Sequence, residues 1–448
     1  MTIRTEAAVG VHARLLKRLE AHEATVAVIG LGYVGLPICL VLARHEFPVI
    51  GFDIDADKVA RVNAGETYIR HIPSDSVATA RRNDRLTASS DFSRLVEADA
   101  IIICVPTPLG EHREPDLSYI VKTSETIAET LRPGQLVVLE STTYPGTTRE
   151  VVLPILEATG LRCGTDFFLG FSPEREDPVN PSFSLERIPK LVSGISDACL
   201  TATSALYRDL VAQVVPVSSP EVAESAKLLE NTYRCVNIAL VNELKLILDR
   251  MGIDVWEVIA AAGTKPFGFV PFYPGPGVGG HCIPVDPFYL TWRAREYGLS
   301  TRFIELAGEV NAAMPAYVVS RIAAALGTAG KPLHGSKVLL LGIAYKKDVD
   351  DLRESPALEI LHRLREEGAV VSYHDPFVPR VPALRRFRFD LDSVPLEAAI
   401  LRAADCVVVA TDHTAFDPAF IAEHAPLIVD TRNLFGARQG ANPRVFRA

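Results

Sequence analysis

Most of the signals that set a chain apart from ordinary globular enzymes are missing here. No apolar run reaches the ~20 residues needed to cross a bilayer, so membrane insertion is not expected. Residues Met1 to Glu23 are charged and mixed. They hold an amphipathic run from Val11 to Glu20 but neither the apolar core nor the small-residue cleavage site of a secretory signal, and a cytoplasmic protein is expected. The seven cysteines, at 39, 104, 163, 199, 235, 282 and 406, are odd in number and never form a C-x-x-C pair. They support neither a disulfide framework nor a zinc cage. No Lys/Arg run stands out and the net charge is −9, which opposes broad nucleic-acid binding because phosphate neutralisation needs a basic face. A local basic pocket for a diphosphate stays open. At 448 residues the chain is too long for one core, and about 150 residues per domain suggests two or three.

The apolar pattern divides accordingly. Short buried runs alternate with helical stretches at Val26 to Ile29, Val49 to Phe52, Ala100 to Val105 and Leu136 to Leu139, the mark of a parallel sheet. A long helical region from Glu221 to Met251 follows, with Leu228, Leu229, Val236, Ala239, Leu240, Leu244 and Leu248 as its apolar residues. It reads as a connector whose surface serves a dimer interface, or equally as a buried core helix. After a linker-like stretch from Gly327 to Gly335, the strand pattern restarts at Val338 to Gly342, Val370 to Tyr373, Cys406 to Ala410 and Leu427 to Asp430. The expected fold is α/β: two doubly wound, Rossmann-like domains joined by a long central helix and a helical dimerisation region. A ligand is expected in the cleft between them.

Gly30-Leu31-Gly32-Tyr33-Val34-Gly35 sits between the first strand and a helix, and Asp53 ends the next strand. Strand, glycines, helix and acid together form a dinucleotide fingerprint, in which the glycines admit the pyrophosphate to the helix N-terminus. Asp53, at the ribose, would repel a 2′-phosphate, so NAD is expected over NADP. Lys58 belongs near the adenosine end or is a solvated surface lysine. Thr107 and Thr142 lie in βα turns, at Cys104 to Pro108 and Glu140 to Thr148; they would touch NAD or order a water, or else cap the following helix. Lys227 and Asn231 are one helical turn apart on one face, either an oxyanion hole or an exposed surface pair. Glu174, in the proline-bounded loop Ser172 to Pro178, is a candidate general base.

The run Gly275-Pro276-Gly277-Val278-Gly279-Gly280-His281-Cys282-Ile283-Pro284-Val285-Asp286-Pro287 offers one thiol in a glycine-rich loop, with a carboxylate four residues on. Pro284 and Pro287 suit the start of a helix over Phe288 to Ala294. A cysteine just ahead of a helix faces N–H dipoles that favour the thiolate. Alone it would read as a small buried hydrophobe; the other motifs reverse that reading.

Together the turn from Gly30 to Gly35, Val105-Pro106-Thr107-Pro108, Ser172-Pro173-Glu174, Lys227 with Asn231, the loop from Gly275 to Pro287, and Lys346-Lys347-Asp348 leading to Arg353-Glu354-Ser355-Pro356 resemble the UDP-glucose/GDP-mannose (nucleotide-sugar) 6-dehydrogenase family. The match runs from about Val26 to Asn433, in the family's order and spacing. Ser172 to Pro178, Thr264 to Phe269 and Asp286 to Asn311 look most like its UDP-N-acetylglucosamine 6-dehydrogenase branch. One departure stands out. UDP-glucose dehydrogenases typically carry a second glutamate four residues after the position of Glu174, and this chain has Pro178.

The resemblance implies an enzyme of polysaccharide biosynthesis that oxidises the C6 alcohol of a UDP-sugar to a carboxylate with two NAD, through a thiohemiacetal and a thioester on Cys282. It implies catalytic roles for Cys282, Lys227, Asn231, Asp286, Glu174 and Thr142. Gly30, Gly32, Tyr33, Val34, Gly35, Asp53, Lys58, Thr107, Thr142 and Arg353 would hold NAD. Glu174, Arg175, Lys227, Asn231, Tyr273, Gly279 and Lys346 would hold the UDP-sugar. No metal, nucleic acid or membrane is implied, and a homodimer is. The expected domains are an N-terminal extension (1–24), an NAD-binding domain (25–215), a central helical domain with the cysteine loop (216–326) and a UDP-sugar-binding domain (327–448). A single two-electron oxidation of a hydroxyacid or sugar phosphate would leave Cys282 without a task. Zinc alcohol dehydrogenase chemistry lacks a ligand set, because His281 and Cys282 are adjacent. A dinucleotide sensor would keep the fold without these side chains.

Overall fold

The computed structural model describes residues 2–70, 72–110, 112–176, 185–280, 282–384, 386–436 and 444–448, without the side chains of 2–9. Pro178 and His281 lie outside the described residues. The chain forms two units, Met1–Glu230 with Phe288–Leu299, and Asn231–Pro287 with Ser300–Ala448.

In the first unit the strands are β1 (Val26–Ile29), β2 (Val49–Phe52), β3 (Leu86–Ser89), β4 (Ala100–Ile103), β5 (Leu136–Leu139), β6 (Phe168–Phe171), β7 (Lys190–Gly194) and β8 (Val214–Pro216). They form one sheet in the order β3-β2-β1-β4-β5-β6-β7-β8. Every pairing is parallel except β6 with β7. The helices are α1 (Thr2–Glu20), α2 (Gly35–Arg44), α3 (Ala56–Asn63), α4 (Ser74–Arg82), α5 (Ser118–Thr130), α6 (Leu153–Glu157) and α7 (Asp197–Tyr207). Successive strand residues point to opposite faces, which divides the core in two. Val26, Val28, Ile102, Val138 and Phe168 pack with α2 and α7. Ala27, Ile29, Ile101, Val137 and Leu169 pack with Ile120 and Ile127 of α5. Both faces are covered, so the central strands are apolar throughout instead of alternating. The amphipathic N-terminal run lies in α1. Its Leu15 and Leu19 join the first core, and Arg18 pairs with Asp99 at 3.0 Å.

Helix α8 (Pro220–Met251) is followed by α9 (Val255–Gly263), α10 (Cys282–Glu296) and α11 (Arg302–Thr328). The second unit also contains β9 (Lys337–Leu341), β10 (Val370–His374), β11 (Cys406–Val409), β12 (Ile428–Asp430) and β13 (Val445–Arg447), all parallel in the order β10-β9-β11-β12-β13. Helices α12 (Pro356–Glu366), α13 (Ala398–Ala403) and α14 (Pro418–His424) complete it. One face packs Val338, Leu340 and Val408 on Val318 and Ile322 of α11 and Leu361 of α12. The other packs Leu339, Leu341 and Val407 on Leu401 of α13 and Ile421 of α14. Helix α11 runs through Gly327 and Thr328, so the linker read from the sequence begins later than expected. Among the described residues no helix is long and apolar enough to cross a membrane.

Candidate active site

In the first sheet the strand order turns back between β1 and β4, and ligands of doubly wound sheets gather at the carboxyl ends of strands beside such a switch point. The turn from Gly30 to Gly35 leaves β1 there, and each glycine has its own reason. Gly30 has φ +97° and a Cβ on it would stand 2.5 Å from the Cys104 carbonyl oxygen. On Gly35 a Cβ would stand 1.9 Å from the Gly30 oxygen, against which α2 begins. At Gly32 a Cβ would meet nothing within 4 Å. The outer glycines are therefore required by packing, while the middle one leaves its backbone open to an approaching diphosphate at the start of a helix. Val34 forms the N-cap of α2, and Tyr33 and Val34 pack half-buried against the core. Asp53 is buried at the end of β2 and accepts the Leu31 N–H at 2.9 Å, which ties the turn to the acid. Lys58 Nζ lies 3.6 Å from Asp53.

Thr107, after β4, is buried, and Thr142, after β5, is half-buried. The neighbouring Ser141 hydroxyl donates to the Val105 carbonyl at 2.8 Å and joins the two loops. The residues present thus fit a dinucleotide: an open backbone cradle at a helix start, an acid beside it, and hydroxyl-bearing loops on the adjoining strands.

Glu174 follows β6 at the same edge, with its side chain 14% exposed. Its Oε1 accepts the N–H groups of Arg175 (2.6 Å) and Glu176 (2.5 Å), and its Oε2 lies 3.4 Å from Lys190 Nζ. Burial opposes ionisation, yet Lys190, the Glu176 N–H and Lys227 together hold its pKa below the usual carboxylate value. Lys227 is buried on α8 and donates to the Glu174 carbonyl. It is therefore no exposed helix-face lysine. The Arg175 guanidinium is held by Glu230 at 2.7 Å and by the Pro189 carbonyl at 2.7 Å.

In the second unit Cys282 is the first residue of α10, and Asp286 lies one turn on, on the same face. The helix starts earlier than the proline pattern suggested. Pro284 falls in the first turn, where a missing N–H costs nothing, and Pro287 is tolerated inside the helix. Asp286 is fully buried and accepts the Asn231 amide N–H, while Arg234 donates to the Asn231 oxygen. The Asn231 side chain is thus oriented at both ends. Beyond Pro287, in the first unit, Tyr289 donates to the Pro108 carbonyl at 3.3 Å, and Arg293 reaches the Pro145 carbonyl at 3.1 Å.

The glycine loop before Cys282 packs closely against other segments of the second unit. A Cβ on Gly279 would stand 2.6 Å from Tyr345 and 3.0 Å from both the Glu354 oxygen and Pro356. On Gly277 it would stand 3.0 Å from Pro356. These glycines fit the loop against the segment after β9, and the Gly280 N–H donates to the Arg353 carbonyl at 3.0 Å. The Arg353 guanidinium is bound to Asp351. Lys346 is half-buried in the same segment, and Tyr273 stacks on Trp256 with ring centroids 5.3 Å apart. Asp375, after β10, accepts the Ile343 N–H at 2.7 Å, just as Asp53 does for the first sheet. His413 joins it at 3.1 Å.

Three stretches of the chain match models of one known family. Residues 24–211, 221–313 and 339–437 match the NAD binding, central and UDP binding domains of the UDP-glucose/GDP-mannose dehydrogenase family. The chain belongs to that family. It is 38% identical to the UDP-N-acetyl-D-glucosamine 6-dehydrogenase of Pseudomonas aeruginosa, over 87% of this chain and 91% of that one. With Protein CapL of Staphylococcus aureus it shares 39% identity, over 87% and 89%. The solved UDP-D-ManNAc dehydrogenase of Pyrococcus horikoshii superposes with a TM-score of 0.85 at 32% identity, covering 94% of this chain and 98% of that one. Family membership makes the protein a nucleotide-sugar dehydrogenase with NAD as its cofactor.

Several buried groups escaped the sequence reading: Glu140, Lys190, Tyr207 and Glu224 in the first unit, Asp375 and His413 in the second. Two had a visible signal. Lys190 opens an apolar strand, and Glu140 directly follows one.

Proposed function

We propose that this protein oxidises the C6 hydroxyl of a UDP-N-acetylhexosamine, with UDP-N-acetylglucosamine as first choice, to the uronic acid through a covalent Cys282 intermediate. The observation that carries the reading is Cys282 at the first turn of α10, with the buried Asp286 one turn on and held by Asn231. NAD supplies the hydride acceptor for each of the two oxidations, and Gly30, Gly32, Gly35, Asp53 and the Thr107 and Thr142 loops would hold it. The Cys282 sulfur adds to the C6 aldehyde to give a thiohemiacetal. Loss of a hydride from C6 and of the hydroxyl proton converts this to a thioester, and water cleaves the thioester to the carboxylate and restores the thiol. Lys227 and Asn231 stabilise the oxyanion of the tetrahedral stages, and Glu174 and Asp286 handle protons.

The N-acetyl preference is supported by the substrate for which the Pseudomonas relative is named and by Pro178 in place of a second glutamate. UDP-N-acetylmannosamine, the substrate for which the solved Pyrococcus enzyme is named, and UDP-glucose are the competing substrates. The same reading places the protein in the cytoplasm as a homodimer serving polysaccharide biosynthesis. The test is NADH formed per sugar consumed, with the three UDP-sugars in parallel. Two NADH per UDP-N-acetylglucosamine, at a higher kcat/KM than for the others, is expected. One NADH per sugar would remove the thioester route. Cys282→Ala is expected to abolish acid formation while NAD still binds; acid formed at the normal rate would exclude Cys282 as nucleophile.

A further inference from the structure

We propose that Lys190 is a positioning residue that fixes the orientation and charge of the Glu174 carboxylate, with Glu140 and Tyr207 as its buried anchor. The proposal rests on the reading of Glu174 as a proton-handling group. Its basis is a lysine that makes no sense as surface chemistry: the Lys190 side chain is 5% exposed, and its ammonium lies 3.0 Å from Glu140 Oε2 and 3.4 Å from Glu174 Oε2.

The sheet explains how three distant residues meet. Strands β6 and β7 are antiparallel, with Gly170 opposite Gly194 and Phe171 opposite Ser193. The same register carried beyond the end of β6 brings Glu174 opposite Lys190, where β7 begins. Glu140 leaves β5, the other neighbour of β6, at the same edge. The Tyr207 hydroxyl of α7 donates to Glu140 Oε1, and the Lys190 ammonium lies 5.3 Å from the Tyr207 ring centroid.

Two carboxylates share one ammonium, and their surroundings drive them apart. Burial pushes the Glu140 pKa up despite Lys190. Glu174 ends below the ordinary value because Lys190 is joined by the Glu176 and Arg175 N–H groups and by Lys227. Burial alone would neutralise Lys190, but Glu140 and Glu174 outweigh it and leave its pKa above that of a free lysine. The other groups facing this cluster are Cys104, after β4, whose pKa burial and Glu140 raise, and Tyr207, raised by burial and Glu140. Arg175 is occupied by Glu230. Lys190 is thus the only ammonium in salt-bridge range of the Glu174 carboxylate among the described residues. A purely structural ion pair would be complete with Glu140. The second carboxylate, on the substrate-side loop after β6, makes the pair a device acting on Glu174.

The test is the pH profile of kcat/KM for Lys190→Met, Lys190→Arg and the double variant Lys190→Met/Glu140→Gln, which removes the charge without leaving Glu140 unpaired. Glu174→Gln is measured in parallel. Without the ammonium the Glu174 pKa rises, so the acid limb is expected to move to higher pH by about 1–3 units in the Met variants, the range for loss of an adjacent opposite charge. KM is expected to stay within about threefold, and Lys190→Arg to return the limb toward wild type because guanidinium keeps the charge. An unmoved acid limb in the folded double variant, beside a Glu174→Gln variant that loses activity, would overturn the role of Lys190. Wild-type activity and profile in Glu174→Gln would instead overturn the reading of Glu174 on which the proposal rests.

Discussion

Three glycines in one turn meet three environments, and substitution should separate them. Alanine at Gly35 would drive a methyl into the Gly30 carbonyl at 1.9 Å, whereas at Gly32 it would enter open space. Gly35→Ala is expected to destabilise by about 1–3 kcal/mol, as overpacking does, and to lower Tm. Gly32→Ala should alter stability by no more than about 0.5 kcal/mol yet weaken NAD binding at least about tenfold, about 1.4 kcal/mol of lost contact. Titration calorimetry beside thermal melts checks both; unchanged NAD affinity in Gly32→Ala would show that the open space is not the diphosphate cradle. At this scale much of the candidate site was legible. Cys282 with Asp286 and Lys227 with Asn231 are spaced by four residues, and a helix converts that spacing into a shared face. Lys190 and Glu174 were not legible as a pair. Sixteen positions separate them, and only an antiparallel register brings them together.

Helix α8 does more than connect. Its buried Glu224 accepts the Gly146 N–H at 2.6 Å, the Thr148 N–H at 3.0 Å and the Thr148 hydroxyl at 2.7 Å, and so pins the loop that carries Thr142. Burial raises its pKa. Glu224→Ala leaves these donors buried without their acceptor, at about 1–3 kcal/mol for each unsatisfied group. The expected result is a lower Tm and faster amide exchange at Gly146 and Thr148. Exchange as slow as in the wild type would show that the loop holds its own shape. Among the strands, burial decided what could be read from sequence. The central β1, β4 and β5 are continuous apolar runs, and their positions follow directly. At the margins β3 is only alternately buried, β8 ends in proline, and β13 is three residues long. Such edge strands bury one face or little at all, so the hydrophobic signal that reveals a central strand is weak in them.

At the scale of the whole molecule, α8 presents large apolar side chains to solvent at Tyr233, Leu240, Ile247 and Met251, which are 48%, 51%, 48% and 63% exposed. Steps of seven, seven and four residues keep them on one stripe of the helix. For the homodimer proposed above, this stripe is the expected interface. Light scattering after size exclusion is expected to give twice the chain mass of 48.7 kDa, and Leu240→Glu with Ile247→Glu to give a monomer. A wild-type monomer at micromolar concentration would remove the assignment.

Sequence alone determined the two α/β sheets, the dinucleotide turn and the long central helix, because each is a local pattern: apolar runs, glycines at fixed offsets, side chains repeating with the helical turn. It also carried the family, through motifs whose order and spacing survive without any fold in view. The tertiary structure decided the rest. It joined Arg175 to Glu230, set the glycines before Cys282 against Tyr345 and Pro356, and placed Lys190 between two carboxylates. Each of these depends on which atom of a distant segment occupies the space or completes the hydrogen bond. That is fixed by strand register and helix packing, which bring together residues that no local pattern connects.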